Sequence, residues 1–491
     1  MDKPVLSKSS FVRGLQCEKS LFLHLKKPFL KDPLSEKKKA IFNRGHRIGE
    51  LAWKLFPNGK NAHKSGVSNW VAETRRLIEA GEKIIYEAAF LSSGSMCAVD
   101  ILVKEEESWH AYEVKSSLKL SKVYFKDAAF QNFVIQQAGC LLSGFSLVYV
   151  NKDYEYDGNK IDASSFFLVR NVFEEVNAEK DKIAANIEKF NSVLAQSNIP
   201  QIDTGSHCFS PYTCDFFGHC WQGKIQEGSV FDLGSLSLGT RLELLNEEKS
   251  LIRDLDENQF SEAVKIQILS EKSGRPTVDK PRLKNWIEKI RFPISFTDFE
   301  MIMPPVPLFK GTHPYEHIPV YFSLHRLEEP EDRFLHHDFF SEPGDDNRKQ
   351  FLENFLELTQ KSGTILAFNA PMETRILHHL SVLFPEFRKD INSRISLFMD
   401  LAEPFRKAWY YHPAMRGGLS LKDISGALFE GASFSELEIK EGVSAMIAYE
   451  SLLENSDMFE RLEIEKRIRE YGALDTRVMI DIYKKLKEES I

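Results

Sequence analysis

The chain has 491 residues, 42% of them hydrophobic and 28% charged, a length that favours two or three domains over a single core. Its formal net charge of −8 gives no global electrostatic case for nucleic-acid binding, although an acidic protein can gather Lys and Arg on one face. No apolar run approaches the ~18 residues that span a bilayer, and "MDKPVLSKSSFVRG" lacks the apolar stretch of a secretory signal, so the expectation is a cytoplasmic protein with no membrane contact.

Residues 39–56, "KAIFNRGHRIGELAWKLF", carry apolar positions at helical spacing and stop before the turn "PNG". Three extended segments follow, "KIIYEAAFL", "MCAVDILVK" and "WHAYEVKSS", separated by Gly94 and by "EEES". Residues 121–139 read as a helix closed by Gly, and "FSLVYVN" as a further strand. The order helix, three strands, helix, strand describes one α/β unit. It ends near a loop, "GSHCFSPYTCDFFGHCW", that holds three of the six cysteines. In a reducing compartment clustered thiols point to metal or redox chemistry rather than disulfides.

Residues 222–285, rich in Leu, Glu and Lys and broken at "SGRPTVDKP", read as a helical bridge. From "ISFTDFEMI" at 294–302 a second pattern begins. Strands "PVYFSLHRL" and "FLHHDFF" are followed by a helix through "NRKQFLENFLELTQKS", a strand "TILAFN", a helix from "METRIL", a strand "RISLFMDL" and a helical C-terminus. Strands in succession, then alternating helices and strands, predict a second α/β domain with a mixed sheet. The expected divisions are 1–221, 222–285 and 286–491.

Two sets of residues carry chemistry. In "AVDILVK…HAYEVKSS", Glu113 and Lys115 share one face of a strand while Val114 points into the core. If that strand pairs with the one before it, Asp100 lies near Glu113, and two carboxylates beside an ammonium can bind a hard cation and orient an attacking water. In "FTDFE", Asp298 and Glu300 share one face of a strand bounded by apolar residues, where two buried carboxylates call for metal or solvent to neutralise them. Asn369 and Glu373 follow where a helix begins, and Tyr471 and Asp475 lie four apart on another helix.

The first set resembles the PD-(D/E)XK nucleases, in particular the RecB-like branch with an iron–sulfur cluster that includes AddB subunits and CRISPR-associated RecB-like nucleases. Asp100, Glu113, Lys115 and the helical Gln131 match that pattern; position 135 is Ile where the family often has Tyr. The family's first-helix acid or His corresponds to Glu50 or His46, with Glu50 the better match as a metal ligand. The resemblance implies a restriction-endonuclease-like fold. It further implies that Cys17, in "LSKSSFVRGLQCEKS", joins Cys208, Cys214 and Cys220 around a 4Fe-4S cluster, zinc being the alternative for four thiolates. Cys97 and Cys140 are left to the core.

The second set is similar to the DEDD exonucleases of RNase H-like fold. There Asp298, Glu300, Glu373 and Asp475 would hold two ions, Mg²⁺ or Mn²⁺, and Tyr471 would orient the water. Glu373 stands where that family usually has Asp, and Asp400 reads as support for the fold. Together the two halves resemble a bacterial family known mainly as a domain of unknown function. The resemblances imply a nuclease acting on DNA, with RNA as the alternative, in repair or defence; a nucleic-acid-binding scaffold with inactive sites is the rival.

Overall fold

The protein is described here by a computed structural model covering residues 5–329, 333–429, 434 and 437–491, with only the backbone described at 36, 37, 42 and 43. The chain is mixed α/β and divides into two compact units. One comprises Met1–Lys224 with Pro305–Tyr315, the other Ile225–Pro304 with Glu316–Ile491. No described helix is long and apolar enough to cross a membrane.

The first unit is built on a seven-stranded sheet of β1 (Leu6–Ser7), β2 (Lys60–Asn61), β3 (Ile84–Ser92), β4 (Ser95–Glu105), β5 (Ser108–Lys115), β6 (Leu142–Val150) and β7 (Phe167–Asn171). The order is β2-β3-β4-β5-β6-β7, with β1 added beside β4. The three extended segments predicted between Lys83 and Ser117 are β3, β4 and β5, each antiparallel to the next. Ser93 (φ 49°) and Gly94 (φ 74°) form the first hairpin turn, where two positive φ values match the strand twist.

The β4–β5 ladder runs from Glu105↔Ser108 to Ile101↔Tyr112 and then stops. Beyond the split, the start of β4 pairs with β1 instead, Leu6↔Ser95 and Ser7↔Met96. A fork therefore opens one residue past Ile101 and Tyr112, between Asp100 and Glu113.

Four helices flank the sheet near this fork: α1 (Lys8–Gln16), α2 (Glu18–Lys26), α3 (Glu36–Ala52) and, after a helix at Val67–Glu79, the central one at Lys122–Gln137. The last spans the predicted 121–139 segment. Its Phe130 stacks on Phe11 of α1 at 4.6 Å between centroids, and Phe11 meets Phe190 edge-on at 5.5 Å. These rings centre one core. On α3, Ile48 and Ala52, one turn apart, bury against Tyr86, Ile101 and Val148 in another.

The second unit holds a five-stranded sheet of β9 (Ile294–Ile302), β10 (Ile318–Leu327), β11 (Leu335–Phe340), β12 (Thr364–Ala367) and β13 (Phe398–Asp400), in the order β11-β10-β9-β12-β13. The first three strands are antiparallel; β12 and β13 continue parallel to β9. A small ribbon pairs β8 (Thr277–Val278) with β14 (Tyr410–Tyr411). The predicted strand at 394–401 is confined to its second half. Its start closes the helix Arg388–Ile395, which is polar apart from the buried Ile391 and the partly buried Ile395.

The predicted bridge is helical, at Leu238–Asn246, Glu262–Ser273 and Lys280–Ile287, but from Ile225 onward it is part of the second unit. It has a core of its own in Val230, Leu233, Ile252, Leu255, Val264 and Ile268. The buried Trp286 donates its indole N–H to Glu403 at 3.1 Å.

The long helix Met458–Glu489 packs across β9 and β10. At Thr476 it is fastened by a buried polar chain: Ser323 Oγ lies 2.7 Å and His325 Nδ1 2.8 Å from the threonine hydroxyl, and His336 meets Ser323 at 3.0 Å. Burial pushes His325 down to about 3, assisted by the positive neighbours His336, Arg477 and His337. An unfolded His takes its proton near the ordinary 6.5, so between those values the unfolded chain binds more protons than the folded one. Stability from this group is therefore full above pH 6.5 and falls as pH drops toward 3, at up to about 1.4 kcal/mol per pH unit. Urea midpoints measured from pH 7 to 4.5 should decline less steeply in His325→Asn than in the wild type; equal slopes would contradict the assignment.

Candidate active sites

The fork in the first unit brings three of the predicted residues together. Continuing the β4–β5 register places Asp100 opposite Glu113. There the ladder is replaced by a side chain, Asp100 Oδ2 accepting the Val114 N–H at 2.5 Å. Glu113 and Lys115 share a face, as alternation requires, and Lys115 Nζ donates to Glu113 Oε1 at 2.8 Å and to Asp127 Oδ2 at 2.5 Å. A second ammonium, Lys8 Nζ, donates to the same Glu113 oxygen at 2.7 Å. Burial alone would raise Glu113, but Lys115 and Lys8 hold it down at about 2. Asp100 is pushed well up by burial and by the neighbouring charges of Glu113 and Glu87.

Asp127 and Gln131 lie one turn apart on the helix Lys122–Gln137. Glu113 Oε2, Asp127 Oδ1 and both polar atoms of Gln131 are buried without a hydrogen-bond partner among the described residues. Such atoms cost roughly 1–3 kcal/mol each when left unpaired, which marks the fork as a place built to receive something polar.

Glu50 and His46 are not gathered there. Both are exposed on α3, because the face of α3 turned to the sheet is that of Ile48 and Ala52, and Glu50 lies roughly 200° around the helix from each. The additional acid near Asp100 is Glu87 of β3. By register it faces Asp100 across the β3–β4 pair, at a position missing from the ladder and with φ 54°. Burial raises Glu87 to about 7, with Glu113 adding to the shift. Its signal in the sequence is a lone acid in the apolar run "IIYEAAF".

The four cysteines predicted as a set also converge. Cys17 sits between α1 and α2, and with Cys208, Cys214 and Cys220 it lines one small cavity. No three of these sulfurs lie within 4.8 Å of one another. Cys97 is buried in β4 and Cys140 follows the central helix, away from the set.

Independent ties hold the loop to the N-terminal helices. Gln16 Nε2 donates to the His207 and Tyr212 carbonyls, each at 2.7 Å. Asp215 pairs with Arg13 at 2.6 Å, Lys38 at 2.8 Å and Lys31 at 3.2 Å. Burial would raise Asp215, yet these cations hold it well below the usual carboxylate range. Asp215→Asn removes the charge that keeps three cations together and should cost about 2–3 kcal/mol. Urea unfolding would measure the loss, and limited proteolysis should cut within 205–221 earlier than in the wild type.

In the second unit Asp298 and Glu300 stand on the central strand β9, and the helix Met458–Glu489 brings Asp475 against them. One oxygen from each lies within 4.8 Å of the others, the only such group of three or more among the described residues. Burial raises Asp298 to about 7. It also pushes up Glu300, beside Asp298 and Asp475, and Asp475 itself, beside Asp298. Close packing fixes the helix here: a Cβ on Gly472 would come 2.3 Å from the buried Tyr321 ring. Tyr471 is buried and lies against Asp475.

Glu373 begins the helix Pro371–Leu383, buried, with Oε2 unpartnered among the described residues, and falls outside the 4.8 Å trio. Asn369 at φ 76° turns the chain into that helix, a conformation Asn tolerates better than most residues. Asp400 supports this turn, as expected, accepting from the Asn369 and Ala402 N–H groups at 2.9 and 3.0 Å and pairing with Arg406 at 2.6 Å. Lys422 is an unforeseen cation beside Asp475 and Glu300, its Nζ 5.2 Å from the Tyr471 ring centroid.

Residues 295–420, which include Asp298, Glu300 and Glu373, match a family described as Domain of unknown function (DUF2779). No curated protein matches the chain.

Proposed function

We propose that the protein is a metal-dependent nuclease with two hydrolytic sites, one in each unit. The observation that carries the reading is the trio Asp298, Glu300 and Asp475 converging within 4.8 Å, carboxylates raised by burial and crowding. A pair of Mg²⁺ or Mn²⁺ ions would relieve that crowding, activate water and stabilise the departing oxygen, with Tyr471 beside Asp475 to orient the water. The sheet order of the second unit, three antiparallel strands and then two parallel to the first, agrees with the RNase H-like resemblance.

In the first unit the fork supports the PD-(D/E)XK reading, with Asp100 and Glu113 as metal ligands and Lys115 and Gln131 beside them. Nucleic acid as substrate, DNA in the first place, rests on the two resemblances. Cys17, Cys208, Cys214 and Cys220 would hold a 4Fe-4S cluster whose role is to fasten the unit. Zinc is the alternative for four thiolates, and iron and sulfide against zinc in the purified protein would tell the two apart.

The test is cleavage of end-labelled single- and double-stranded DNA and RNA with Mg²⁺ or Mn²⁺. Glu113→Gln and Asp298→Asn are each expected to remove a different activity. Failure of the wild type to cut any of these substrates would sink the proposal. One observation favours the scaffold reading for the second unit: Glu373, raised by burial and by the Asp298 charge, stands where the resemblance expects Asp, and a fourth ligand displaced by about an ångström can cost on the order of 100-fold in rate. Cleavage lost in Glu113→Gln but unchanged in Asp298→Asn would select it.

A further inference from the structure

Two lysines meet at the fork, and their surroundings differ. Lys115 is 13% exposed and held by two carboxylates, Glu113 at 2.8 Å and Asp127 at 2.5 Å. Lys8 is 33% exposed, with one close partner, Glu113 Oε1 at 2.7 Å, and Asp127 only at 4.0 Å. Its place is fixed by the backbone. Leu6 and Ser7 pair with Ser95 and Met96 at the start of β4, beyond the end of its ladder with β5 at Ile101, and the Ser7 hydroxyl caps α1 by accepting the Ser10 N–H, so Lys8 enters the fork beside Glu113. An ammonium locked between two buried carboxylates has little freedom to meet a ligand, whereas one that is a third exposed and singly bonded can reach an incoming anion without giving up its partner.

We propose that Lys8 is the substrate-facing lysine of the first unit, contacting a phosphate oxygen next to the bond that is cut, and that Lys115 is a positioning residue that orients Glu113. This assignment rests on the nuclease reading of that unit. It gives a function to a residue in "LSKSS" that lies more than a hundred positions from the Glu113 and Lys115 motif.

The experiment uses the full-length chain and a labelled single-stranded DNA oligonucleotide. Lys8→Ala should raise KM roughly tenfold or more while kcat falls less, as expected when a substrate contact is lost. In chelator, where nothing is cut, its binding to the oligonucleotide should show a salt slope shallower by about 0.7, one phosphate contact on a single strand. Lys8→Arg should restore most of both. Lys115→Arg, which keeps the charge but disturbs Glu113, should lower kcat more than it raises KM.

Wild-type cleavage that is lost in Glu113→Gln but unchanged in Lys8→Ala would overturn the assignment and leave the nuclease reading standing. A Lys8→Ala defect confined to kcat, with no change in the salt slope and no rescue by Arg, would also overturn it. A wild type that neither binds nor cuts the oligonucleotide overturns both.

Discussion

Asp298→Asn is expected to stabilise the metal-free protein while abolishing its stabilisation by Mn²⁺. Asp298 stands on the central strand with Glu300 beside it and Asp475 within the same 4.8 Å group. Burial lifts its carboxyl from 3.8 to about 7. A carboxyl with a raised folded value favours its protonated form, so it adds nothing unfavourable below the ordinary value and its full penalty above the raised one. A shift of about three pH units corresponds to roughly 4 kcal/mol, and neutral Asn should recover about 2–4 kcal/mol of it at pH 8. If the proposed metal reading holds, a divalent cation would do the same work in the wild type by binding only the folded state. The urea midpoint should therefore rise with Mn²⁺ in the wild type, and stand higher but respond little to Mn²⁺ in Asp298→Asn. A destabilised variant, or one that keeps the full Mn²⁺ response, would show that these carboxylates are not a cation site.

Lys115→Met is expected to act in the opposite direction, costing about 3–5 kcal/mol, because removing one partner of a buried ion pair strands the other. The carboxylates left behind are Glu113, 1% exposed, and Asp127, 6% exposed. Lys8 remains on Glu113, so the group stranded is chiefly Asp127, whose other oxygen already lacks a partner among the described residues. The double variant Lys115→Met/Asp127→Asn should therefore regain a good part of the loss, as coupled neighbours do and independent sites do not. Additive losses in urea unfolding would contradict the pairing. This result also guards the activity assay, since a lost activity in Lys115→Met alone confounds chemistry with folding.

Sequence patterning located some features closely. The segment "ISFTDFEMI" coincides with β9, a central strand buried on both faces, where two acids standing in an otherwise mostly apolar run are conspicuous. Asp100, Glu113 and Lys115 were legible for another reason: a short hairpin fixes register, and register fixes faces. The thiol set was legible from cysteine economy once Cys17 was recruited by resemblance.

What stayed hidden depends on contacts between distant segments. Glu50 was preferred to His46 because the resemblance calls for an acid or His on the first helix, whereas the orientation of α3 is decided by Ile48 and Ala52 meeting the sheet; Glu87 of β3 drew no notice. Lys8 and Asp127 reach Glu113 from segments that periodicity cannot bring together. The extent of the second unit was also misjudged: a Leu-, Glu- and Lys-rich composition signals helix but does not say what that helix packs against.

The first unit is discontinuous in the chain, and this fixes when it can be completed during synthesis. Its first strand and Cys17 emerge early, but the loop bearing the other three thiols emerges only after Cys220. Residues 305–315 emerge later still, after 225–304, which belong to the other unit. Those late residues carry structure: Gly311 donates its N–H to the Tyr156 carbonyl at 2.7 Å, Tyr156 returns one to Thr312 at 3.0 Å, and the Tyr315 hydroxyl donates to the Ser116 carbonyl one residue past Lys115. A growing chain therefore passes through a long interval in which the strands and thiols of the first unit are all present but residues 305–315, which bond to Tyr156 and Ser116, are not. The same fact bears on dissection: a fragment ended at Lys224 carries every motif of the first unit and still lacks part of its fold.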